Sequence, residues 1–181
     1  MAAPATPTSD RAFVITRTLN APRALVWKAW SEADHLAKWW GPKGCAIRIG
    51  RLELRPGGIF HYAMEFSSGS AMWGRFFYRE IEAPGRIVWL NSFSDRHGGL
   101  TRAPFAGAWP LEMANTMTLG EREGRTTLTL HSVPFGATEE ERAFFEGCFD
   151  SLNQGFGGTF EQLDNYLGSL RGGGGKSTKP A

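Results

Sequence analysis

Between Phe145 and Leu170 the apolar residues recur at helical spacing, and no other feature of the chain restricts its fold as much. Phe145, Cys148, Phe149, Leu152, Phe156, Phe160, Leu163, Leu167 and Leu170 are separated by steps of 3, 1, 3, 4, 4, 3, 4 and 3, which places them on one face of an α-helix. Thr138 and Glu141 form a capping box ahead of the stripe, each side chain meeting an orphan N–H of the first turn. The phase persists through Gly155, Gly157 and Gly158. The pattern therefore predicts one helix of about 33 residues, about 50 Å long at 1.5 Å per residue. Each interior glycine costs about 1 kcal/mol relative to alanine. Close approach of helix to sheet is the simpler reason for them; room for a ligand is the other.

A helix with one apolar face needs a second layer to cover it, and the rest of the chain supplies strands. Phe13, Ile15, Arg17 and Leu19 alternate with Val14, Thr16 and Thr18, the period of a half-buried strand. Asn20 and Pro22 then predict a helix start with Asn20 as N-cap, and Leu25, Val26, Ala29 and Trp30 its buried stripe. A second short helix is predicted over 33–39, stopped by Gly41 and Pro42. Ile47 and Ile49 share one parity and Leu52 and Leu54 the other, so Gly50 predicts a bulge that switches the inward face. Strands over 60–66, 71–82, 86–93, 115–122 and 125–133 follow, with turns at Pro56-Gly57-Gly58, Ala83-Pro84-Gly85 and Glu123-Gly124. The expected architecture is α+β: a curved antiparallel sheet of six to seven strands, two short helices after the first strand, and a long last helix. A seven-stranded sheet is about 29 Å across, short enough for that helix to cross.

Composition narrows the function classes. The net charge is +2, and Arg171, Lys176 and Lys179 lie in the tail. The remaining body is close to −1, with no electrostatic footprint for nucleic acid. No apolar run could span a bilayer and the first residues contain no apolar leader core. Cys45 and Cys148 stand too far apart for metal-ligand or redox spacing, so a cytoplasmic protein with reduced thiols is expected. Residues 1–10 read as a loose arm, 11–170 as one domain, and 171–181 as a disordered Gly-rich tail. The tail segment GGGGKST ends like a phosphate loop, but Leu170 stands where the motif needs its first glycine. A nucleotide site is excluded on that ground.

The run LNAPRALVWKAWSEADHLAKWWGP resembles the opening of bacterial proteins similar to the activator of heat-shock protein 90 ATPase, members of the START-like (SRPBCC) superfamily. Arg55, Pro56, Gly57 and Gly58 match that family's Arg-Pro-Gly-Gly turn. NSFSD, WPLEM, TEEER and GTFEQLDNYL extend the likeness across about residues 12–170. Phe156 stands where one subgroup carries Trp. The resemblance implies a helix-grip fold with a cavity for a hydrophobic ligand. It does not imply co-chaperone activity, because the name comes from eukaryotic members with an additional domain for which this chain has no room.

The chain holds 13 Phe, 7 Trp and 3 Tyr, enough stiff rings for a thick core or a pocket wall. Candidate cavity-lining residues are Phe60, Tyr62 and Met64 on one strand face, with Trp39, Trp40, Trp73 and Trp89. Phe149, Leu152 and Phe156 join them from the last helix, and Trp109 from the aperiodic segment 94–114. That segment is expected to lie over the cavity mouth through Phe105 and Trp109. The buried hydroxyl of Tyr62 needs a partner. His35, His61, His97 and His131 are expected at the surface, and no catalytic or metal motif occurs, so no cofactor or metal is expected. The reading is a non-catalytic binder of a small lipophilic or aromatic molecule, monomeric or homodimeric. Two alternatives remain at this stage. One is a cyclase- or hydrolase-like enzyme using Arg75, Glu80 or His61; the other is a chaperone-associated or stress-related interaction module with a protein partner.

Overall fold

A computed structural model describes residues 11–172 of the chain. Its strands are β1 (Phe13–Leu19), β2 (Cys45–Leu52), β3 (Ile59–Phe66), β4 (Ala71–Glu82), β5 (Arg86–Ser94), β6 (Leu100–Thr101), β7 (Glu112–Arg122) and β8 (Arg125–Phe135). The helices are α1 (Arg23–Ser31), α2 (Ala33–Trp39), α3 (Glu139–Gly147) and α4 (Phe149–Gly172). All strands pair antiparallel, in the order β1-β8-β7-β5-β4-β3-β2, with the short β6 on the end of β5. α1 and α2 carry the chain from one edge of the curved sheet to the other, and α4 packs on β1, α1 and α2. This is the expected helix-grip fold. Among the described residues no helix is long and apolar enough to cross a membrane.

Gly50 is the extra residue in β2: Ile49 pairs with Tyr62 and Arg51 with His61. The bulge moves the inward face from Cys45, Ile47 and Ile49 to Leu52, as the parity switch predicts. A second register shift lies between Tyr78 and Glu80; no glycine marks it. The capping box at Thr138 and Glu141 forms in both directions.

Three expectations are corrected. The last helix is two helices: Gly147 ends α3, and Cys148 (φ −93°, ψ 2°) donates its N–H to Phe145 at 3.0 Å. Its carbonyl then accepts from Leu152 at 2.9 Å, so α4 starts at once. A one-residue tight turn preserves the apolar phase, which is why the periodicity runs through it. Asn20 does not cap α1. The cap position is Pro22, without a side-chain cap, and the N–H of Arg23 is met by Glu121 Oε2 from β7 at 2.6 Å. Of the predicted tail, Arg171 and Gly172 are helical; the rest of it, with the predicted arm 1–10, lies outside the described residues.

The core is aromatic. Trp30 of α1 packs against Trp39, Trp40, Trp89 and Phe160, with ring centroids 4.9 to 6.5 Å away. A second chain of rings runs from Trp109 through Phe145 and Phe149 to Phe13 and Phe156. Together they join α4 to both halves of the sheet.

Candidate functional site

The chain leaves α2 at Trp40 and turns at Gly41, whose φ is +91°. A Cβ there would stand 2.9 Å from Ile47 Cδ1, so the turn requires glycine. α4 tethers this turn. Thr159 Oγ1 and Gln162 Nε2 donate to the Gly41 carbonyl at 3.1 and 2.8 Å, and Lys43 pairs with Glu161. Between turn, sheet and helix lies a cavity of about 200 Å³. Trp40, Gly41 and Pro42 form one wall, Tyr62 and Met64 of β3 the floor. The first half of α4 closes it with Ser151, Leu152, Gly155, Phe156 and Thr159. None of these lining residues is charged.

Tyr62 is the buried polar residue of the floor. It stacks on Phe60 at 4.6 Å and meets Trp40 edge-on at 6.2 Å. Its ring lies against Gly74 of β4, where a Cβ would come 2.7 Å from Cζ. Burial pushes its hydroxyl up to about 12, with the nearby Trp40 indole N–H pulling slightly the other way. That N–H lies beside the Tyr62 hydroxyl and is itself shut off from solvent.

Burial also raises Tyr78 and Tyr166, so all three tyrosines of the chain resist ionisation while folded. A raised acid contributes stability that is complete below the unfolded value near 10 and is lost as pH climbs through the folded value. The native protein is expected to show little tyrosinate absorbance at pH 10, where unfolded chain is about half ionised, and to lose stability from pH 10 to 12. Absorbance at 295 nm, native against guanidinium-unfolded, checks this; half ionisation of the native form at pH 10 would contradict it.

The sequence-predicted residues divide into three groups. Trp40, Tyr62, Met64, Leu152 and Phe156 line the cavity together. Trp39, Phe60, Trp89, Phe149 and Trp109 serve the surrounding core instead. Trp39 donates to the Ala29 carbonyl at 3.0 Å. Phe60 is fully buried, Trp89 stacks on Phe76 at 4.9 Å, Phe149 sits between Phe13 and Phe145, and Trp109 packs on Phe145. Trp73 lies on the opposite face of the sheet: it pairs with Ala63, stacks on His61 at 4.8 Å, and carries Arg48 over its ring at 4.9 Å.

His61 is thus buried on the outer face and not at the surface as expected. Its Nε2–H donates to the Asp95 carbonyl at 3.1 Å, and Arg75 donates to Gly98 at 2.8 Å. The Asp95 carboxylate, held below its usual range, accepts from the N–H groups of Gly99 and His97. These bonds fold the start of segment 94–114 onto the outer face, so it does not cover the cavity. Phe105 is exposed and edge-on to Phe93. His35 is also drawn in, its Nδ1 2.7 Å from the Tyr166 hydroxyl.

Sequence reading missed Ser151 and Thr159, took Gly41 and Pro42 only as a helix stop, and preferred close packing to ligand room for Gly155, because small residues carry little apolar signal. Gly155 is informative. A Cβ there would meet nothing within 4 Å and the residue is exposed, so close helix–sheet approach does not explain this glycine. Gly155→Ala is expected to stabilise the protein by up to about 1 kcal/mol, about 2–4 °C in Tm, measurable by calorimetry.

The Activator of Hsp90 ATPase homolog 1-like protein family matches residues 20–168. A protein from Arthrobacter aurescens, solved in solution, superimposes with a TM-score of 0.74 at 26% identity, covering 91% of this chain and 90% of that one. A crystal structure from Mycobacterium smegmatis gives 0.70 at 21% identity, covering 88% and 92%. One from Nitrosomonas europaea gives 0.69 at 23% identity, covering 91% and 98%. Among curated proteins none matches.

Proposed function

The chain belongs to the Activator of Hsp90 ATPase homolog 1-like family, and from that premise and its cavity we propose that it binds a small hydrophobic or aromatic molecule between α4 and the sheet without transforming it. The observation that carries this reading is the uncharged lining, in which Trp40, Tyr62, Met64, Leu152 and Phe156 converge from three elements. Apolar burial is worth about 25 cal/mol per Å², so about 300 Å² of ligand surface supplies up to ~7 kcal/mol before ordering costs.

The enzymatic alternative loses its candidate groups. His61 and Arg75 lie under segment 94–114 on the far face, and Glu80 pairs with Arg86 at the surface. A cytoplasmic setting is part of the proposal and accords with the two unpaired cysteines.

Native against denaturing mass spectrometry of freshly purified protein tests the reading. A small lipophilic or aromatic compound that leaves on unfolding is the expected result. Turnover of such a compound into a released product would contradict the non-catalytic part.

A further inference from the structure

We propose that the preferred occupant is an elongated molecule with an unbranched apolar tail, and that this tail leaves the cavity over Met72 and Phe93 and ends against Phe105. This rests on the binding function proposed above and names the shape and chemistry of the ligand.

The inner face of the sheet is not covered evenly. On β3, β4 and β5 the inward side chains at one end, Phe60, Phe76 and Trp89, are shut in. At the other end Phe66, Met72 and Phe93 are half-buried only. The inward direction is set by Tyr62, whose ring lies against Gly74. Met64 and Met72 stand two residues from these and share their face. Met64 belongs to the cavity floor, and Met72 is its register partner on β4. Directly opposed side chains of an antiparallel pair have Cβ atoms about 5 Å apart, so the apolar lining continues onto β4.

On β5, Phe93 is the register partner of Gly74, which makes it the diagonal neighbour of Met72. Long and aromatic side chains meet across that diagonal, and Met72 and Phe93 line one hollow with Pro104. The row ends at Phe105, edge-on to Phe93 with ring centroids 5.4 Å apart and itself 64% exposed. Phe105 does not cover the cavity; it finishes an apolar path that starts there. A lone exposed apolar side chain is ordinary, but one that continues such a path marks a binding surface. From β3 to β5 the path crosses two strand spacings, about 10 Å. A compact ligand would leave it empty, whereas a flexible unbranched tail can follow it and gain from each methylene it covers.

The test is a ligand-observed NMR titration of the full chain with acetophenone and hexanophenone, which share a head and differ only in tail length. A fully buried methylene raises affinity about fourfold and a half-covered one about twofold, so hexanophenone is expected to bind at least about tenfold more tightly. Phe105→Ser is expected to cut that advantage to about threefold and to leave acetophenone unchanged. Phe135→Ser is the control. Phe135 is also exposed, but it lies on the outer face by strand alternation from its neighbour Pro134, so both affinities should stay as they were. Equal binding of the two ketones by the wild-type protein overturns the inference. So does an equal loss in the two variants, which would mean unspecific adhesion. A change of oligomeric state in Phe105→Ser, seen by sedimentation, also overturns it and assigns Phe105 to a second copy of the chain. Failure of both ketones to bind overturns the proposed function as well.

Discussion

Trp30→Ala is expected to lower stability by about 3–5 kcal/mol, a large share of the 5–15 kcal/mol that holds a typical domain. The reason is position. Trp30 is 2% exposed, and its ring touches α2 through Trp39, the cavity wall through Trp40, β5 through Trp89 and α4 through Phe160. These neighbours belong to three separate parts of the fold, the end of α2, β5 and α4, so they cannot all close on the hole that alanine leaves. Trp30→Phe should cost much less. It keeps most of the ring and removes an indole N–H that has no partner, which offsets part of the lost packing. Chemical denaturation with an unchanged m-value measures both. A loss below about 1 kcal/mol for alanine would mean that the site collapses and that Trp30 is not the junction of the core.

The second large effect concerns ligand binding. Gly155→Trp is expected to weaken binding of any cavity ligand by at least about tenfold, or 1.4 kcal/mol, while the protein stays folded. Gly155 lines the cavity, sits on the exposed side of α4, and has open space where its side chain would begin. A bulky ring there enters the volume a ligand needs without displacing core. Circular dichroism should remain native while the retained compound disappears from the native mass spectrum. Unaltered ligand content in a folded Gly155→Trp protein would place the ligand elsewhere.

Much of the fold was legible because it depends on local rules. The capping box at Thr138 needs only two residue types three positions apart. The bulge at Gly50 announces itself through a parity switch in Ile47, Ile49 and Leu52. The register shift near Arg79 lacks both signals, so that strand read as regular. The break at Cys148 was hidden because a turn of one residue does not disturb the apolar stripe. The cap of α1 could not be read locally at all, since Glu121 reaches it from 98 positions away.

The candidate site was legible only in part, for a reason visible in its residues. Its large members, Trp40, Tyr62, Met64, Leu152 and Phe156, stand out in the sequence, but so do Trp39, Phe60 and Trp89, which have the same chemistry and fill the core. Distinguishing the two groups depends on where small residues leave space, and Gly41, Gly155 and Thr159 carry no hydrophobic pattern. Trp73 shows how strand parity decides a face: one position from Gly74, which meets Tyr62, it points to the other side. The length of segment 94–114 suggests a lid. Its placement is set by Asp95, His61 and Arg75, contacts between residues far apart in the chain.

The space between β3 and α4 is the proposed ligand site. The seven tryptophans make it directly measurable, because each gives one indole N–H signal in a ¹⁵N–¹H spectrum. Comparison with Trp40→Phe and Trp73→Phe assigns the two that matter. On adding acetophenone, the Trp40 signal is expected to move in a saturable way while the Trp73 signal on the opposite face stays fixed. Movement of Trp73 with Trp40 unchanged would put binding on the other face of the sheet and contradict a ligand site between β3 and α4.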